Sequence, residues 1–163
     1  MSDSKLVPFK AKKTFNLFNR KFEEGRDYQL HFLEVEVLIK EGLADIIPLS
    51  SVDYRKLLNE EKVSEKMLEL NDNFFYYAKL SQKFLKDKSS ASELDKKKYS
   101  DSASALRNFL RLRAEKILRL LLIQNQKIEV HEDELEYVSL INKEISKWIE
   151  YGEEIVKGEG YEA

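Results

Sequence analysis

Glu132, Asp133, Glu134 and Glu136 are the densest group of acids in the sequence. Carboxylates this close together can hold a divalent cation or divide into a general acid and a general base. They also open an amphipathic segment, and the positive end of a helix dipole stabilises each carboxylate there by roughly a few tenths of a kcal/mol. The structural role is therefore the expectation, with a small enzyme built on this cluster kept as an alternative. Other chemistry has little to stand on. The chain has no cysteine, so thiol nucleophiles, thiolate metal sites and disulfides are excluded. Its two histidines, His31 and His131, show no metal-binding spacing, its five glycines do not gather in a phosphate-cradling loop, and no serine lies in a GxSxG context. The sequence predicts no catalytic residue, no metal ligand set and no cofactor.

Binding chemistry is better represented. Leu106, Phe109, Leu110, Ile117, Leu120 and Leu121 share one face of a helical wheel, and Arg113 falls inside that stripe. A guanidinium there either snorkels on its long stem or pairs with a carboxylate, because an unpaired buried charge costs several kcal/mol. Pairing is the expectation, within the chain or across a subunit interface. Arg107, Arg111, Lys116 and Arg119 fall outside the stripe. The arginines Arg107, Arg111 and Arg119 could meet phosphates, which makes a helical DNA-binding or transcription-associated protein the alternative function. Phe74, Phe75, Tyr76 and Tyr77 stand in succession, and adjacent residues on a helix point about 100° apart, so one small core cannot take them all. They cover either the other half of the chain or a partner. Leu112, Leu118 and Leu122 point away from the main stripe and ask for a second neighbour. Phe74, Phe75, Tyr76, Tyr77, Leu112, Arg113 and Leu118 are thus the candidate interface residues.

The elements that must position these residues change character at Pro48. Before it the pattern is of strands: alternation around Phe15-Asn16-Leu17, a turn at Glu24-Gly25, and alternation again at Tyr28, Leu30 and Phe32. Val35, Leu38 and Ile39 form a helical stripe that Gly42 can end, and Ala44–Ile47 returns to a strand. After Pro48, Ser51 or Asp53 can cap a helix that carries Tyr54, Leu57 and Leu58 on one face and ends near Ser64. Asn71 or Asp72 can cap the next, NFFYYAKLSQKFLKD. The Ser/Lys-rich stretch 86–104 lacks apolar periodicity and reads as a mobile loop. A long helix follows from about Ser102 to Gln124, and a last one from near His131 to the Gly158/Gly160 tail. The fold class is α+β, mostly α. Residues 1–47 form a small β-rich domain with one short helix, 50–157 an α-helical domain of about four helices, and 158–163 a tail.

Composition is consistent with this. Apolar residues make up 42% and charged residues 36%, a globular balance, and the net charge of −2 gives no global attraction to nucleic acid or anionic membranes. Charge is unevenly spread, however. Residues 1–30 hold seven Lys/Arg against four acids, whereas the chain from Glu129 onward is strongly acidic. No apolar run has signal-peptide or membrane-span length, so the expected location is the cytoplasm.

Taken in order, the N-terminal β run, EVEVLIKEGLADIIPLSSVDYRKL, LNDNFFYYAKL, FLRLRAEKILRLL and EDELEYVSLINKEI resemble a GINS complex subunit of the archaeal type. The class is that in which the small β domain precedes the helical one. His131 stands where members of that family often carry a hydroxyl cap. The resemblance implies a non-enzymatic scaffold of DNA replication, which joins the MCM motor and a RecJ-like nuclease homologue in the replicative helicase. It implies a hetero-oligomer with a related GINS subunit, a 2:2 tetramer, with primase as a further candidate partner and weak or no direct DNA binding. The location it implies is the nucleoid at the replication fork, or the nucleus in a eukaryote.

Overall fold

The computed structural model describes residues 5–123 and 128–160. The N-terminal part contains strands β1 (Leu6–Ala11), β2 (Phe15–Leu17), β3 (Arg20–Phe22) and β4 (Asp27–His31), helix α1 (Phe32–Lys40) and strand β5 (Ala44–Ile46). β1 lies between β4 and β5, antiparallel to both, while β2 and β3 form a separate hairpin. Alternation in β1 turns Val7, Phe9 and Ala11 into a core completed by Phe22, Val35, Leu38, Ala44 and Ile46. Pro8 is tolerated in a central strand because its peptide faces the β5 side, where its carbonyl accepts the Ile47 N–H at 3.2 Å just beyond that strand's end. No ladder bond to β4 is lost. Phe32, expected in a strand, instead opens α1, because His31 caps the helix: its Nδ1 accepts the Leu33 N–H. Gly42, with φ of 73°, ends α1 in the left-handed conformation that its lack of a Cβ permits.

After Pro48 come α2 (Ser51–Val63), α3 (Phe74–Lys88), α4 (Glu93–Leu122), a single 3-10 turn (Glu132–Glu134) and α5 (Leu135–Lys157). The architecture is α+β and mostly α: a small antiparallel β region followed by four main helices. Ser50, not Ser51 or Asp53, is the N-cap of α2, and Asp53 completes a capping box by accepting the Ser50 N–H at 2.8 Å. Asn73, rather than Asn71 or Asp72, precedes α3. The helical core gathers Tyr54, Phe74, Ala78, Ala105 and Phe109.

The largest departure from expectation is the stretch 86–104. It is not a loop: α3 runs to Lys88, and α4 starts at Glu93 behind the cap Ser92, whose side chain accepts the Asp95 N–H at 3.1 Å. Glu93 and Asp95 complement the helix dipole, and the buried half from Ala105 onward supplies a nucleus from which the polar half extends cooperatively. Ser102 is buried and returns its hydroxyl to the Tyr99 carbonyl at 2.8 Å, so a small polar residue serves where an apolar one was sought. The expected helix end at Gln124 and the end of the tail fall outside the described residues.

α3 joins the two parts of the chain. Tyr77, Leu80 and Phe84 pack on the β core, and the Tyr77 hydroxyl donates to the Ile47 carbonyl. The Ser81 hydroxyl accepts the Leu49 N–H at 2.9 Å, and Asn73 Nδ2 reaches the Leu6 carbonyl at 3.5 Å.

Candidate functional site

Arg113 is 1% exposed and paired within the chain. Because α4 spaces them by three, Arg113 and Lys116 project from one face toward the end of α2 and the connection after it. The Arg113 Nε donates to Glu134 Oε2 at 2.8 Å and its Nη2 to Oε1 of the same carboxylate, a two-pronged grip. Its Nη1 donates to Glu61 and, at 3.0 Å, to the Leu68 carbonyl. Lys116, placed by the sequence outside the apolar stripe, is buried as well. Its ammonium donates to Glu61 Oε2 at 2.8 Å, to the Glu61 carbonyl at 2.9 Å and to the Lys66 carbonyl. Glu61 also accepts the Leu68 N–H at 2.7 Å.

Two cations and two carboxylates thus close into a neutral cluster tying α2, the connection after it, α4 and the 3-10 turn together. Burial opposes the charge of Arg113, but Glu134 and Glu61 outweigh it, and the guanidinium pKa is held above its ordinary value. His131 fixes the turn that delivers Glu134. Its Nδ1 accepts the Asp133 N–H at 3.0 Å, the work a hydroxyl cap would do, and Glu134 accepts the His131 N–H at 3.1 Å. With Nδ1 accepting, the proton sits on Nε2, which donates to the Asn71 and Asp72 carbonyls, each at 3.0 Å. Glu134 is therefore committed to a structural pair. Among the described residues, no three His, Asp or Glu side chains gather as a cation site.

Glu61 was legible but missed. With Tyr54, Leu57 and Leu58 it completes an i, i+3, i+4, i+7 stripe, so an acid lies on the buried face of α2 just as a base lies on that of α4.

The aromatic quartet is occupied inside the chain. Phe74 enters the helical core with its ring edge-on to Phe109 at 5.8 Å, and Phe75 meets the His131 ring at 4.9 Å. Tyr76 lies against Phe32 at 4.8 Å and donates to Glu36 at 2.9 Å, and Tyr77 covers the β core. One pair of aromatics thus serves each half of the chain. Leu112 is half-buried, whereas Leu118 is exposed, as is Leu122 one turn further on.

The larger apolar surface lies on α5, where no residue is buried. Val138, Ile141, Ile145 and Ile149 form a half-buried stripe, and three of them line a groove with Leu121 and Ile123 at the end of α4. A second stripe, Tyr137, Leu140, Trp148, Tyr151 and Ile155, faces outward, and Trp148 is 71% exposed. The chain from Glu129 onward holds eleven acids against three lysines, five of those acids and all three lysines being on this helix. On α4, Arg107 and Arg111 line an open groove toward α3 with Gln82 and Tyr99, and Arg119 lies outside that groove.

No protein-family model matches the chain, and no curated protein matches it. No helix among the described residues is long and apolar enough to cross a membrane.

Proposed function

We propose that this chain is a non-enzymatic scaffold subunit of the GINS type, which works by holding other proteins together in a replicative helicase assembly. The observation that carries the reading is the outward apolar stripe of α5, from Tyr137 to Ile155, together with the exposed Leu118 and Leu122 of α4. Exposed tryptophan and tyrosine on a rigid helix are the residues from which stable interfaces draw most of their energy. The acidic excess of the chain from Glu129 onward favours a basic neighbour over a second copy of the same surface. That matches a pairing of two related but different subunits, and the order of β part before helices agrees with the class named above. MCM and a RecJ-like nuclease homologue are the further partners on this reading.

Co-expression with a related GINS subunit tests it. Trp148→Glu and Leu118→Glu should release this chain from the complex while its circular dichroism and melting remain those of the wild type. Full assembly by both variants would overturn the placement of the interface.

A further inference from the structure

Lys12 to Lys21, KKTFNLFNRK, contains four cations and no acid, and its two short strands fold as a hairpin at the edge of the β part. The turn is the two-residue loop Phe18-Asn19, with φ of 55° and 57°. Two successive positive φ values are what a type I′ hairpin turn requires, and Asn suits that conformation while a bulky aromatic does not. Phe18 nevertheless occupies it, is 60% exposed and stacks on no other ring among the described residues, although Phe15 and Leu17 of the same hairpin pack on the core. Fold stability does not account for a phenylalanine here.

Arg20 and Lys21 flank the tip, and Lys13 stands at the open end of the hairpin; all three are exposed, and none is in an ion pair among the described residues. The Arg20 guanidinium is held over the rings of Phe22 and Tyr28, at 5.0 and 5.2 Å from their centroids, so its position is set before any ligand arrives.

We propose that the β2–β3 hairpin binds single-stranded nucleic acid, with the Phe18 ring stacking on a base and Lys13, Arg20 and Lys21 meeting phosphates. One protruding ring with Arg20 held beside it and Lys21 exposed nearby suits a base with its flanking phosphates. A membrane surface would call for a broader apolar area than a single phenylalanine gives. The assignment is independent of the assembly reading, since the hairpin is remote in sequence from α4 and α5. It places contact with nucleic acid on the β part, away from Arg107, Arg111 and Arg119.

The test is fluorescence anisotropy of the full chain with labelled oligothymidylate at low salt, beside thermal melting. Phe18→Gly removes the ring and relieves the backbone. It should weaken binding roughly 10-fold, within the range known for base–aromatic stacking, without lowering the melting temperature. Lys13→Glu with Lys21→Glu should reduce the salt slope of log K by about 1.4. The proposal is overturned if the wild type does not bind, if Phe18→Gly binds as well as wild type, or if polyglutamate or phosphatidylserine vesicles bind in place of the oligonucleotide.

Discussion

At Arg113, α4 delivers a guanidinium into a space that already holds Glu61 from α2 and Glu134 from the 3-10 turn. Without it Glu134 would lose its cation, and Glu61 would keep only Lys116. Arg113→Leu should therefore cost about 3 kcal/mol or more in urea unfolding. In the Arg113→Leu background, Glu134→Leu should cost far less than it does in the wild type, since the acid has already lost its partner. Equal costs in both backgrounds would contradict the pairing. Tyr76 makes a second prediction. Burial first, and then its hydrogen bond to Glu36, push the phenol up to about 12. A pKa raised in the folded state marks stability that is whole below the unfolded value of 10.0 and fades as pH climbs toward 12. Tyr76→Phe should lose less stability than the wild type across that alkaline window, read as melting temperature against pH; parallel curves would contradict it. Glu36 is the reciprocal group: the Tyr76 hydrogen bond, then Lys40, lower its pKa. Arg113 was legible because a charge inside an apolar stripe has few places to go. Lys116 was not, since it lies at the margin of that stripe, and its burial is explained by the Glu61 carboxylate and carbonyl at the end of α2 and the Lys66 carbonyl beyond it.

The elements differ in how much of their cause is local. α1 and α5 carry their own stop signals, Gly42 and Gly158, both at positive φ, and α2 its start signal in the Ser50 capping box, so those ends follow from the residues. β3 does not: Arg20–Phe22 is too short to alternate visibly, and it exists because the Phe18-Asn19 turn folds it back onto β2. The first half of α4 is the other case. Its apolar content is too low to announce a helix, and what maintains it is continuation from the packed half together with the Ser92 cap. Amides 96–104 should accordingly exchange slowly with solvent deuterium, and Ser92→Ala should cost about 1 kcal/mol and speed exchange over the first turns. Exchange at unprotected rates across 96–104 in the wild type would contradict the helix.

For the whole molecule, the aromatic quartet and the ionic cluster turn inward and fasten the parts of the chain to each other, leaving α5 to face outward. The sequence read Phe74–Tyr77 as covering either the other half of the chain or a partner; α3 divides them between two cores, with Phe75, Tyr76 and Tyr77 half-buried. Three-dimensional packing alone decides which of two candidate surfaces is used internally. The tryptophan and tyrosines of α5 passed for an ordinary amphipathic face, because a helical wheel shows a broad apolar arc without showing how many neighbours exist to cover it. The central claim is that this arc is covered by a different but related subunit. Native mass measurement of the full chain, alone and co-expressed with a related GINS subunit, tests it most directly. A mixed complex of both subunits, broken by Trp148→Glu with the fold intact, is the predicted result. A wild-type chain that remains a folded monomer in both preparations would contradict it.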